Sequence, residues 1–205
     1  GVAARPITDL KAYRDSLMQF VTNTGLFMRP VFMGAKTAPK RIAYAEGEEE
    51  RVLRAAQVVV DEGLAQPILV GRPDIILTRI ERAGLRLIPG ENCEIVNPAK
   101  DERFKQYYET YHKLKARDGI SPDLAKVVVR RSNSLIATLM VKMGDADGMI
   151  CGVIGRYDFH LEHIRDVIGV RDGAHGLAAL NALILDNHNL FIADTFVNED
   201  PTAEQ

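Results

Sequence analysis

Apolar residues recur at helical spacing at Leu10, Tyr13, Leu17 and Phe20 or Val21, which predicts a helix over Ile7 to Thr22 capped by Thr8 or Asp9. Gly25, Pro30, Gly34 and Pro39 then interrupt the pattern, so Thr24 to Pro39 reads as an irregular linker. Arg41 to Ala45 is a short strand, and Glu46-Gly47 turns the chain into a helix from Glu48 to about Glu62. That helix buries Val52, Leu53, Ala56, Val59 and Val60 and stops at Gly63. Glu48, Glu49 and Glu50 crowd its first turn, where carboxylates favour the positive end of the helix dipole. Pro67 to Gly71 is a continuous apolar run, the mark of a strand covered on both faces. A helix over Asp74 to Ala83, closed by Gly84, leads to a third strand at Glu94 to Val96. Strands alternating with helices imply a parallel sheet with right-handed crossovers.

Three helical stretches follow: Asp101 to Arg117, Pro122 to Arg131 and Ser132 to Met143. Tyr107, Tyr108, Tyr111 and Leu114 include an aromatic stripe, which fits core packing rather than base stacking in a chain with no basic face. Gly148 to Gly152 is a strand that enters a glycine-punctuated loop and then a helix from about Asp158. In an α/β sheet, ligands gather at such loops, beyond the carboxyl ends of strands. Leu180 to Leu185 and Leu190 to Ala193 flank Asp186-Asn187-His188-Asn189, a β-hairpin pattern. The chain starts at Gly1 without Met, and Asp200-Pro201 opens a helix start that is one turn long at Gln205. A fragment of a longer protein is expected.

A length of 205 residues suits one large domain or one and a half. The formal net charge of −2 argues against a general nucleic-acid binder. No apolar run approaches the ~20 residues of a membrane span. Cys93 and Cys151 form neither a framework nor a CxxC pair, which suits a reducing cytoplasm and two small buried side chains.

The common phosphate-binding fingerprints, GxGxxG and GxxxxGK[ST], are absent. Glu46-Gly47 before a helix would aim N–H groups at an anion, but Glu48 to Glu50 would repel it, leaving a capped surface helix. Asp145, Asp147 and Gly148 resemble a scrap of a calcium loop without its third acid and closing Glu. His160 and His163 share a helix face with no third metal ligand in view, so a hydrogen-bonded or solvated face is preferred and no metal is expected. Lys113, Lys115 and Arg117 suit the negative end of their helix; Lys115 and Arg117 would also serve as a phosphate clamp with Arg130, Arg131 or Arg156.

Ordered markers run along the chain: Ala45-Glu46-Gly47 to Arg51, Pro67 to Gly71, Val96-Asn97-Pro98, Tyr107 to Gly119, Gly144 to Gly152 and Phe191 to Asp194. On these the chain from about Pro39 resembles the phosphate acetyltransferase and butyryltransferase family. Cys151 to Tyr157 and Asn198 to Pro201 resemble the degenerate copy of that family fused behind the catalytic part of bacterial NADP-dependent malic enzymes, and Gly1 to Lys36 resembles the join between the two parts. The resemblance implies an α/β fold of the phosphate acyltransferase and isopropylmalate-dehydrogenase-like kind, two subdomains about a cleft, truncated on its C-terminal side. Residues 1–38 would join the malic part, 39–146 form the first subdomain, and 147–205 begin the second.

Departures from the family carry the expected function. Cys151-Gly152 stands for Ser-Gly, Gly155-Arg156 for a His-Ser-type loop, and Glu162-His163 for arginine and proline. Lys115 aligns with a family arginine, and the family's Asn-Asp-Leu-Ser-Arg segment falls beyond Gln205. A glutamate in place of a cation reverses the field that acyl transfer to phosphate needs. The resemblance therefore implies no catalytic residue here. It implies acetyl-CoA as an effector in a cleft ringed by Lys115, Arg117, Arg130, Arg156 and Tyr157. It also implies a cytoplasmic homo-oligomer, at least a dimer, whose malic part binds NADP and Mg or Mn and converts malate to pyruvate. An active phosphate acetyltransferase and a purely structural dimerisation module are the alternatives.

Overall fold

A computed structural model describes residues 9–185, 188–198, 200 and 202 of the protein. Its centre is a four-stranded sheet of β1 (Lys40–Tyr44), β2 (Ala65–Val70), β3 (Glu94–Val96) and β4 (Gly148–Ile150), in the order β3-β2-β1-β4. Every pairing in it is parallel, with Ile42 opposite both Pro67 and Gly148, and Leu69 opposite Ile95. Successive side chains on a strand point to opposite faces, so an apolar run such as Pro67 to Val70 feeds two cores. One core gathers Tyr44, Leu69 and Cys93 with Val52, Leu53 and Ala56 of α2 (Glu50–Asp61) and Ile76 and Ile80 of α3 (Pro73–Arg82). The other gathers Ala43, Ile68, Val70 and Val96 with Tyr107 and Tyr111 of α4 (Phe104–Lys115) and Ala125 and Val129 of α5 (Pro122–Arg131).

At the heart of that second core lies α6 (Asn133–Met143), with Leu135, Ala137, Leu139 and Met140 fully buried. A helix apolar on nearly every side belongs in an interior. It touches β1, β2, β4, α4, α5 and α7 (Tyr157–Val167). Ser132 starts it by accepting a hydrogen bond from the Leu135 N–H at 3.2 Å, and Gly144, at φ 81°, ends it.

The expected strand–helix order and the three helices after Val96 are present with small shifts. Asp101 caps the turn before α4, accepting from the Arg103 N–H at 2.8 Å, and the helix begins only at Phe104. Its far end tightens into a 3₁₀ turn at Ala116–Asp118. The linker expected over Thr24 to Pro39 is corrected. One helix, α1, runs Leu10–Thr37 through Gly25, Pro30 and Gly34. A helical proline costs about 3 kcal/mol and removes one hydrogen bond, a local penalty that α1 carries at Pro30. The helix stops two residues before Pro39. The predicted start at Ile7 lies outside the described residues.

One compact unit runs Ala35–Gly169; another groups the described residues up to Gly34 with those from Val170 onward. Residues 146 and 147 both lie in the first unit, where β4 pairs with β1. In the other unit, β5 (Leu180–Ile184) and β6 (Asn189–Ala193) form the expected antiparallel hairpin, with Ala182 opposite Phe191. The turn residues Asp186 and Asn187, and the helix start at Pro201, lie outside the described residues. Among the described residues no helix is long and apolar enough to cross a membrane.

Candidate functional site

The carboxyl ends of β1 and β2 and the first turn of α6 enclose a cleft of about 570 Å³. Glu46, Glu48, Arg72, Arg131, Ser134 and His160 give it its chemistry. This is where a parallel sheet of this kind offers a ligand its loops and helix N-termini.

Gly47 fixes the turn after β1. Its N–H donates to the Val70 carbonyl at 3.1 Å. A Cβ there would lie 2.8 Å from Val70 N and 2.9 Å from Leu69 C, so only glycine lets the turn rest on the end of β2. Glu46, beside it, accepts from the Gly152 N–H at 2.8 Å and ties the β1 loop to the β4 loop. Glu48 accepts from the Arg72 N–H at 2.9 Å and from the Arg72 guanidinium at 2.9 and 2.7 Å, while its carbonyl takes Arg79. The side-chain hydrogen bonds from Arg72 hold the Glu48 carboxyl below the usual carboxylate range. The acidic run that would repel an anion is thus partly neutralised by arginines beyond β2.

His160, on α7, reaches across the cleft. Its Nδ1 lies 2.8 Å from Ser134 Oγ and its Nε2 lies 2.8 Å from the Ile154 carbonyl. A carbonyl only accepts, so Nε2 carries a proton and donates to Ile154; in the neutral ring Nδ1 then accepts from the Ser134 hydroxyl. The same ring is 4.0 Å from Glu46. Burial pushes the neighbouring His163 below the ordinary imidazole range. Cys151, which follows β4, has its thiol pushed up to about 11, first by burial and then by the charge of Glu46. It is a protonated thiol at neutral pH, not a nucleophile.

The five residues expected around the cleft lie elsewhere on the same unit. Lys115 sits between Asp118 at 2.6 Å and Asp166 at 3.1 Å, joining the end of α4 to α7. Hydrogen bonding to Asp118 and then Asp166 raises its pKa. Arg117 is exposed on the 3₁₀ turn. Arg130 lies with its guanidinium 4.8 Å from the centre of the Phe104 ring. Arg156 pairs with Asp158 at 2.5 Å and covers Phe159 at 5.2 Å. Tyr157 is half-exposed at the start of α7. The cations that do line the cleft are Arg72, Arg79 and Arg131. Sequence reasoning passed over Arg72 and Arg79, although Arg72 stands just past the carboxyl end of a buried strand, the position such sheets use for ligands.

A parallel sheet covered by helices on both faces, with a mixed-charge cleft at its strand ends, is a doubly covered α/β fold. Residues 26–205 match the family described as Phosphate acetyl/butaryl transferase, and the chain belongs to that family. It is 49% identical over its whole length to the NADP-dependent malic enzyme of Salmonella typhimurium, and 48% to the NAD-dependent malic enzyme of Rhizobium meliloti. The chain spans 27% of the length of each of these relatives. Its fold is similar to that of a phosphotransacetylase from Streptococcus pyogenes, with a TM-score of 0.73 at 26% identity over 86% of this chain and 54% of that one.

Proposed function

We propose that this region is the regulatory, non-catalytic acyltransferase-like part of a malic enzyme. The parent oxidises and decarboxylates malate to pyruvate with a nicotinamide coenzyme, NADP in this reading, and Mg or Mn. Those groups bind outside these residues; relatives named for NADP and for NAD match this region equally well, so coenzyme choice is not written in it. Acetyl-CoA binds the cleft and shifts a homo-oligomer, at least a dimer, toward a less active state. Such control requires that acetyl-CoA bind two states of the parent with different affinity.

One observation carries the loss of acyl transfer. Lys115 stands where the family resemblance puts an arginine, and it is held between Asp118 and Asp166 instead of facing a phosphate. The protonated Cys151 thiol and the exposed Glu162 agree with it.

The test is NADPH formation from malate by the full-length parent, titrated with acetyl-CoA, with sedimentation followed in parallel. A saturable fall in rate with a change in assembly is the expected result. An unchanged rate overturns the regulatory reading for this effector. Acetyl phosphate released from acetyl-CoA and phosphate would overturn the non-catalytic reading.

A further inference from the structure

We propose that Ser134, His160 and Glu46 form a nucleophile, base and carboxylate set that takes an acyl group from a small carboxylic ester or thioester onto Ser134 and passes it to water. This activity is independent of which effector the region binds. It survives the loss of transfer to phosphate, since water as acceptor needs no cluster of cations to hold it. The three side chains come from three places in the fold: Glu46 from the turn after β1, Ser134 from the first turn of α6, and His160 from α7. All three line the 570 Å³ cleft.

A serine hydroxyl is a weak nucleophile until a neighbouring base takes its proton, so the tautomer of the histidine decides the matter. Ser134 Oγ lies 2.8 Å from His160 Nδ1, and the Ile154 carbonyl, 2.8 Å from Nε2, keeps a proton on that nitrogen. Nδ1 of the neutral ring is therefore the free base, and it faces the serine. Gly155, at φ +101°, lets the ring lie this close to the loop, since a Cβ there would be 3.0 Å from Nε2. When Nδ1 takes the serine proton the ring becomes a cation, and the Glu46 carboxylate is 4.0 Å from Nε2. The His160 and Glu46 side chains are only 14% and 12% exposed, so salt and water screen that attraction little. The N–H groups of Asn133 and Ser134, in the first turn of α6, have no acceptor inside the helix and suit a developing oxyanion.

A hydrogen bond from a buried serine to a histidine also ties α6 to α7, which is the plain account of the pair. That account explains neither the carboxylate beside Nε2 nor the position of the pair on the wall of a cleft. In the reaction, Ser134 Oγ bonds to the acyl carbon as its proton passes to Nδ1, and the acyl oxygen takes up the negative charge beside the first-turn N–H groups. The bond from the acyl carbon to the alcohol oxygen or thiol sulfur then breaks, and the departing group collects the proton from Nδ1. Water repeats the sequence on the acyl-serine: it gives its proton to Nδ1, its oxygen bonds to the acyl carbon, and Ser134 leaves with that proton. The products are the free acid and the alcohol or thiol, with the side chains restored.

The test treats the full-length parent with a fluorophosphonate, which traps a serine activated in this way, and with p-nitrophenyl acetate as acyl donor. Peptide mass spectrometry locates the adduct. Ser134 should carry the label, and the release of p-nitrophenol that depends on it should be lost in S134A. H160Q should slow labelling of Ser134 at least about a hundredfold. E46Q keeps an acceptor for the Gly152 N–H and removes only the charge. It should lower the maximal labelling rate without changing the probe concentration that half-saturates it. Equal melting temperatures establish that the variants are folded. A wild-type protein whose Ser134 stays unlabelled at saturating fluorophosphonate overturns the assignment, and no folding defect of a variant can mimic that result. Labelling of Ser134 in H160Q at the wild-type rate also overturns it, and a wild-type rate in E46Q removes Glu46 from the set.

Discussion

Cys151 illustrates how one environment decides a residue's chemistry. It follows β4, and burial and the charge of Glu46 keep its thiol protonated up to about pH 11. A raised folded-state pKa means that the stabilisation from a neutral thiol is complete below the unfolded value of ~8.5 and fades as pH climbs toward 11. Alkylation by iodoacetamide, followed by peptide mass spectrometry to separate Cys151 from Cys93, should therefore rise with a midpoint near 11 in the folded protein. Rapid labelling of Cys151 at pH 8 would contradict the burial argument. Asp147 shows the opposite sign. Hydrogen bonds from the Arg41 side chain, then from its backbone N–H, hold the Asp147 carboxyl at about 2. Its contribution is present above the unfolded value of ~3.9 and disappears as pH falls through the folded one. Asp147→Asn should lower the urea midpoint at pH 7 and make little difference at pH 2, which a pair of denaturation curves would check.

At the scale of elements, α6 is the member on which the site depends, since it carries Ser134 into the cleft and fills one core. Leu139→Ala removes a fully buried side chain and should cost about 2–5 kcal/mol by urea unfolding. Ser132→Ala removes only its cap and should cost about 1 kcal/mol. Gly47→Ala should destabilise and loosen the junction of β1 with β2, because its Cβ meets backbone that has no side chain to move. These elements were legible in the sequence for a simple reason. A strand covered on both faces is a continuous apolar run, as at Pro67 to Gly71, and helices such as Pro122–Arg131 carry both their period and their cap. The path of α1 was not legible, because breaker residues state a penalty and not the compensation around them. The cleft was legible only in place. Glu46 meets Gly152 across 106 positions and His160 meets Ser134 across 26, and no local pattern records which distant groups will pair. The cations show a related limit: sequence shows that Lys115 and Arg156 are basic, but not that Asp166 and Asp158 pair with them.

At the scale of the whole molecule, among the described residues both cores are built from side chains within Ala35–Gly169. A chain cut to residues 35–169 should therefore unfold in one cooperative urea transition, with the near-ultraviolet signal of Tyr107 and Tyr111 lost in the same step. A broad, non-cooperative loss would mean that residues outside this span complete the core. The sheet order has another consequence, for the way the chain is made. β1 is the first strand of the sheet to leave the ribosome, and β2 can join one of its edges soon afterwards. The other edge waits for β4, since Ile42 pairs with Gly148, 106 residues later. At ordinary translation rates that is roughly 5–20 seconds during which an apolar strand edge stands open in the nascent chain.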